Sequence, residues 1–195
     1  MVFTMPVCVI AKTTLLPMCL LGFSLVSQAA ELISIPHAKV TKTGNGYTLN
    51  AIIHYPLSPR IIEAIDHGVP ITFKQEFQLT DTLPLIGQYW QWQRTLWSST
   101  VPYQLRYHAL SKQYLLIALD ASKQRSFPTL DATLTALGKV EQFNLPPEHL
   151  ADLSNLTLQI RSGVDIHDLP TPMRLGALIS DKWQIESPWV KATWP

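Results

Sequence analysis

IPHAKVTKTGNGYTLNAIIHY, residues 35–55, alternates apolar and polar side chains on both sides of a central Gly44-Asn45-Gly46. Asn-Gly favours a two-residue type I′ loop, because both central positions of that loop need positive φ. With Asn45 and Gly46 in the loop, residues that face each other across the hairpin have numbers that sum to 91. The stretch therefore predicts an antiparallel hairpin with one buried face, which consists of Ala38, Val40, Tyr47, Leu49, Ala51, Ile53 and Tyr55.

The polar face of that hairpin holds two histidines. The same register places His37 directly opposite His54, where cross-strand side chains are about 5 Å apart. Such a pair is a weak candidate for a transition-metal site, but two ligands alone bind a metal weakly. We expect a chance pairing without a metal, and the sequence indicates no cofactor.

The segments after the hairpin read mostly as strands. A short helix is predicted at residues 59–67, since Ser58 can cap its start and Gly68 can follow its end. A second short helix is predicted at residues 128–137. Residues 83–97 fit either a helical stripe or a continued strand, and the pattern leaves this open. The remaining strands are predicted at 69–79, 101–109, 113–119, 156–166, 174–180 and 183–186.

This order of elements favours antiparallel pairing. Two short helices are too few to serve as crossovers for every pair of strands, so a doubly wound nucleotide-binding fold is not favoured. We predict a mainly β, α+β fold: a single antiparallel β-sandwich or half-barrel with two short helices.

The N-terminus has the pattern of an export signal. Lys12 precedes an apolar run, residues 13–26, which is too short to span a bilayer comfortably, and small residues suited to signal peptidase follow at 27–30. We predict a cleaved signal peptide at residues 1–29 and a single β-rich periplasmic domain at residues 30–195. An uncleaved inner-membrane anchor is the alternative, and after cleavage no integral membrane span is expected.

Composition argues against several classes of function. Hydrophobic residues make up 47% of the chain, charged residues make up 15%, and the formal net charge is +1. Nucleic acid would call for a basic stripe, so no nucleic-acid partner is expected. Both cysteines, Cys8 and Cys19, lie in the signal segment, and the chain has neither a Gly-x-Ser-x-Gly nor a His-Glu-x-x-His motif. A nucleophilic hydrolase or a zinc protease is therefore not indicated.

Aromatic residues are the most suggestive feature of the chain. Tyr89, Trp90, Trp92 and Trp97 lie within nine residues. Large flat rings gain much contact area at little cost in entropy, so such clusters serve partner recognition, glycan stacking or anchoring at a membrane interface. We take Tyr89, Trp90 and Trp97 as candidate binding residues, and the alternative is that these rings fill the core.

Four segments carry a resemblance to a known family: PITF (70–73), YHALSKQY (107–114), LPTPMRL (169–175) and WQIESPW (183–189). On these segments the chain resembles the DUF4390 family, exported proteobacterial proteins sometimes labelled proline-rich signal peptide proteins. The resemblance implies a periplasmic location and a gene neighbourhood near a membrane sensor kinase and an RNA methyltransferase. It assigns no activity. Residues 81–87 depart from the family, which tends to a basic, tryptophan-rich strand there.

The leading hypothesis is a non-enzymatic periplasmic binding or accessory domain. It would present an aromatic surface to an envelope protein partner at the inner membrane, and a membrane sensor kinase is one candidate. The competing hypotheses are an envelope enzyme acting on glycan or lipid, with Glu76, Asp81 or Asp165 as acid or base, and a carrier of lipid or a small molecule. Paired carboxylates in a deep pocket would indicate the enzyme, a closed apolar cavity the carrier, and an exposed aromatic patch the partner-binding domain.

Overall fold

The computed structural model describes residues 32–86, 90–150, 155–179, 183 and 185–195. The predicted signal peptide, residues 1–29, lies outside the described residues. No helix in the described ranges has both the length and the apolar character needed to cross a bilayer.

Strands dominate the described chain. They are β1 (Ser34–Thr43), β2 (Gly46–His54), β3 (Ile71–Ile86), β4 (Trp90–His108), β5 (Gln113–Ala118), β6 (Lys123–Phe127), β7 (Lys139–Asn144), β8 (Leu156–Val164) and β9 (Val190–Lys191). The α-helices are α1 (Pro59–Asp66), α2 (Leu130–Gly138) and α3 (Thr171–Ile179), and short 3-10 turns lie at Pro147–His149 and Ile166–Asp168.

These strands form two antiparallel sheets. One has the order β1-β2-β7 and the other has the order β6-β5-β4-β3-β8-β9. The mainly β, antiparallel fold predicted from the sequence is confirmed, in a sandwich-like form. The buried core draws apolar residues from both sheets, including Val40, Leu49, Ile53, Phe73, Phe77, Leu105, Leu158 and Ile160.

The first hairpin has the predicted faces but a different register. Val40 pairs with Leu49, so opposed numbers sum to 89 instead of the predicted 91. The loop consists of Gly44 and Asn45, and of these two only Gly44 has a positive φ, 60°. This geometry fits a type II′ loop, which takes glycine at its first central position. Because the shift is two residues, every side chain keeps its predicted face.

Both predicted helices form where the capping residues place them. The Ser58 hydroxyl accepts a hydrogen bond from the amide of Ile61, 3.4 Å away, and starts α1. Gly68, just past the end of that helix, has a φ of 79°. The Thr129 hydroxyl accepts from the amide of Ala132 at 3.2 Å and caps α2 in the same way. Side-chain capping of free amides is what these residue types favour.

The predicted strand at residues 174–180 is wrong, because α3 occupies residues 171–179. Pro170 and Pro172 flank the helix start, and proline suits a first helical turn, where its missing amide is not needed. The predicted strand at 183–186 is reduced to an isolated bridge between Glu186 and β8. The predictions also lacked β6, β7 and β9.

The C-terminal segment joins the two sheets. It first pairs with β8 as β9, and two residues later it reaches β1 through a parallel bridge between Thr193 and Lys39. The Val40 amide donates to the Thr193 carbonyl at 2.8 Å, and the Thr193 amide donates to the Ala38 carbonyl at 2.9 Å. The last residues of the chain therefore hold both sheets together at one edge.

Candidate functional site

The hairpin of β3 and β4 extends beyond the strands on either side of it. These strands have 16 and 19 residues, and they pair with each other as far as Ile86 and Trp90. On one side, β8 pairs with β3 only up to Asp81, and on the other side β5 pairs with β4 only from Tyr103 onward. We call residues 83–86 and 90–92 the arm. Within the described chain, each strand of the arm is hydrogen-bonded to the other alone.

Residues 83–86 and 90–97 are strand, which answers the open question for the described part of 83–97, and residues 87–89 lie outside the described residues. Of the candidate binding residues, Tyr89 lies outside the described residues, and Trp90 is the first residue of β4. Trp97 lies seven positions further along β4, opposite Leu79 within the sheet, which is about 23 Å from Trp90 along an extended strand. The two tryptophans therefore lie at well-separated positions of β4.

Trp97 is half-buried and packs toward the core. Its ring centroid is 6.2 Å from that of Phe143, and Phe143 stacks on Phe77 at 4.1 Å. The contact crosses from the six-stranded sheet to β7 of the three-stranded sheet. Trp97 thus contributes to the packing of the two sheets, which is the alternative considered for these rings.

The two histidines do not face each other, so that expectation is wrong. His37 lies opposite Ile52, and His54 lies opposite Ser34. The register shifts between Ser34 and His37, around Pro36, which has no amide to donate to the ladder. Both histidines are exposed, and the described residues contain no group of three or more side chains suited to hold a metal ion.

The three carboxylates considered for acid or base chemistry are engaged separately. Glu76 accepts from the Nε of Arg161 at 2.7 Å. Asp81 is 3.8 Å from Arg94 at the other end of the β3 ladder with β8. Asp165 accepts an amide hydrogen bond at 3.0 Å from the 3-10 turn that follows it. Each carboxylate thus has a structural partner of its own, and no two of them share one.

A groove of about 620 Å³ lies between β2 and α2. Leu32 and Ile52 border it and are exposed large hydrophobic residues, 58% and 45% accessible. His54 and Asp131 add polar groups to its lining. The groove is open to solvent, so it differs from the closed apolar cavity that a carrier of a whole lipid would need.

A buried hydrogen-bond network links the two sheets behind this groove. The Tyr55 hydroxyl bonds Ser162 Oγ at 2.8 Å and accepts from Gln75 Nε2 at 3.1 Å. Gln75 Nε2 also donates to the carbonyl of Leu137, at the end of α2. Burial raises the pKa of Tyr55 to about 12, against the opposing effect of its two hydrogen bonds. Because Ser162 has no solvent access, this network orders the core and offers no reachable nucleophile.

The described residues form a two-sheet antiparallel β protein in which β3 and β4, the two central strands of the larger sheet, are longer than the strands that pair with them. A family profile described as "Domain of unknown function (DUF4390)" matches residues 30–193. The chain belongs to the DUF4390 family, as the resemblance indicated. Searches of curated proteins and of solved structures gave no match.

Proposed function

We propose that this chain is an exported, non-enzymatic binding domain of the bacterial envelope that contacts a protein partner at the inner membrane through the arm. The observation that carries the proposal is the pairing of the arm, whose two strands have no other neighbour within the described chain. An isolated two-stranded hairpin is marginally stable in water. A partner that covers the arm or adds a strand to it would supply the missing contacts.

The amino-acid sequence of the segment that contains the arm supports the same function. Residues 83–93, LPLIGQYWQWQ, contain no charged side chain, although the flanking positions Asp81 and Arg94 are charged. The centres of protein interfaces are depleted in charge and enriched in tryptophan and tyrosine. This composition favours a protein partner over nucleic acid, and a membrane sensor kinase is one candidate for that partner.

The competing functions have less support. An acid–base enzyme acting on glycan would use two carboxylates that flank one bond, whereas Glu76, Asp81 and Asp165 are each held by a different structural partner. A carrier would enclose its ligand, whereas the groove beside α2 is open. Both observations favour a binding domain.

Site-specific photo-crosslinking in living cells tests the proposal. A photoreactive amino acid is placed at Trp90, in the arm, and for comparison at Leu110, which is 93% exposed in the turn between β4 and β5. We expect a discrete crosslinked protein from position 90 and none of the same mass from position 110. Identical adducts from both positions, or no adduct from position 90, would contradict the proposal.

A shortened hairpin provides the matched control. Thr82 pairs with Gln93, so an Asn-Gly loop that joins these two residues removes the arm and keeps the rest of the ladder. We expect this variant to keep its melting temperature and to lose the partner in a pull-down. Retention of the partner would show that the contact lies elsewhere.

A further inference from the structure

A half-exposed tryptophan lies on the outer face of the six-stranded sheet, away from the arm. Trp189 is 38% accessible, and its ring centroid is 4.7 Å from the guanidinium carbon of Arg161 in β8. The guanidinium also bonds Glu76 in β3 through Nε at 2.7 Å and Glu186 through Nη1 at 3.2 Å. One arginine thus holds two carboxylates and supports an indole ring.

The backbone fixes this tryptophan in place. Two positions before it, buried Ser187 bonds Ser162 of β8 twice: its amide donates to the Ser162 carbonyl at 2.8 Å, and its hydroxyl accepts from the Ser162 amide at 2.9 Å. One position after it, Val190 pairs with Ile160 as β9 begins. Trp189 is therefore anchored on both sides and loses little conformational freedom when a ligand stacks on it.

Next to this charged cluster, the sheet surface carries a row of uncharged polar side chains. Gln159 of β8 pairs with Gln78 of β3, and Gln78 pairs with Ser98 of β4. Gln78 Nε2 donates to the hydroxyl of Thr95 at 2.6 Å, and the side-chain amide also carries an acceptor oxygen. In the adjacent row, Glu76 pairs with Thr100. Hydrogen-bonding groups thus continue across three neighbouring strands.

We propose that this surface, made of Trp189, Arg161, Glu76, Glu186, Gln78 and Gln159, binds a neutral, extended β-1,4-linked glycan. One sugar ring would place its C–H face against the indole, since the positive edge of C–H bonds is attracted to the negative face of an aromatic ring. Its neighbours would hydrogen-bond with the glutamines and with the outer oxygen of Glu186, whose side chain is 46% accessible. A flat, ribbon-like chain fits a sheet surface better than a coiled one.

Charge pairing selects a neutral ligand. The guanidinium of Arg161 is already paired with the carboxylates of Glu76 and Glu186, which makes it a poor site for a phosphate or a further carboxylate. Lys191 pairs with Gln159, and Lys74 lies two positions before Glu76, so the two lysines change the formal charge of the cluster from −1 to +1. The surface offers hydrogen bonds and one aromatic ring without a strong field of either sign. This inference does not depend on the arm or on the proposed protein partner.

NMR titration of the mature protein tests the inference. The probes are cellotetraose and chitotetraose, which are β-1,4-linked, with maltotetraose, which is α-linked, as the control. We expect the β-linked sugars to shift the Trp189 indole signal and the β8 and β9 amides, at concentrations up to roughly 10 mM, which suffice to detect a millimolar Kd. The Trp97 indole, on the inner side of β4, should not move.

Variants separate a stacking contact from a general effect. Trp189→Ala should weaken binding by about tenfold or more, because a fixed aromatic ring dominates such a contact. Trp189→Tyr should keep most of the affinity, and Leu110→Ala, at a distant exposed position, should keep all of it. If neither β-linked sugar shifts Trp189, or if Trp189→Ala binds like the wild type, the inference is wrong. Equal shifts with maltotetraose would also overturn it, and loss of partner capture by arm variants would leave it unaffected.

Discussion

The end of α2 packs so closely on β2 that it has no room for a side chain. A Cβ added at Gly138 would overlap the carbonyl oxygen of Ile53 and stand 3.1 Å from its carbonyl carbon. The obstacle is backbone in a central strand, so Gly138→Ala forces the helix end away from β2 by about an ångström or more. That movement also stretches the 2.8 Å bond from Gln75 to the carbonyl of Leu137.

Overpacking of this kind costs about 1–3 kcal/mol, and the loss of a buried hydrogen bond adds about 1 kcal/mol. The gain from replacing glycine in a helix, about 0.5–1 kcal/mol, offsets part of this. We therefore expect Gly138→Ala to lower the free energy of unfolding by about 2–3 kcal/mol, which is a fall in Tm of roughly 4–12 °C.

Gly176 in α3 is the matched control, because a Cβ there meets nothing within 4 Å. Gly176→Ala should raise the free energy of unfolding by about 0.5–1 kcal/mol through helix propensity alone. Thermal and urea unfolding of both variants measure the difference. If Gly138→Ala is as stable as the wild type, the close packing of α2 on β2 is not a property of the protein and the reasoning fails.

Three further perturbations test other parts of the fold. Gln142 has a φ of 50° at the bulge where β7 meets β2. Gln142→Gly should relieve this strain and raise the free energy of unfolding by about 0.5–1 kcal/mol in urea titrations. A lower free energy of unfolding would show that the side chain matters more than the strain. The raised pKa of Tyr55, about 12, means that the unfolded chain loses this proton first, near pH 10. Stability from Tyr55 is therefore complete below pH 10 and is lost between about pH 10 and 12, so Tyr55→Phe should flatten that alkaline fall in unfolding experiments, and an unchanged slope would refute the assignment. Trp97→Ala should lower the free energy of unfolding by about 2–3 kcal/mol because it removes the half-buried ring beside Phe143. Trp90→Ala should leave the melting temperature unchanged and weaken partner capture. Equal melting temperatures of the two variants would contradict this separation.

The candidate surfaces could be predicted from the sequence only in part. The cluster at residues 89–97 led us to expect a binding segment, but the sequence pattern could not tell whether its tryptophans share one surface. The surface at Trp189 had a local signal only in part, since Glu186 and Trp189 lie three positions apart in the chain. Glu76 and Arg161 come from two other segments, which meet the C-terminal segment through the pairing of β3 with β8 and the bridge from β8. No pattern within ten consecutive residues indicates that these segments are neighbours in the fold.

Local chemistry alone decided several features of this protein. The alternation in residues 35–55 assigned each side chain to its face, and Ser58 with Gly68 placed α1, because strand period and helix capping depend on residues a few positions apart. Tertiary structure decided the hairpin register, the helix at 171–179 and the length of the arm. A two-residue shift of the register leaves an alternating pattern unchanged. The loop geometry and the neighbouring strands therefore determine whether opposed residue numbers in the hairpin sum to 89 or to 91. The arm likewise depends on where β8 and β5 stop pairing with β3 and β4 within the described residues, and the sequences of β3 and β4 do not indicate where a neighbouring strand ends.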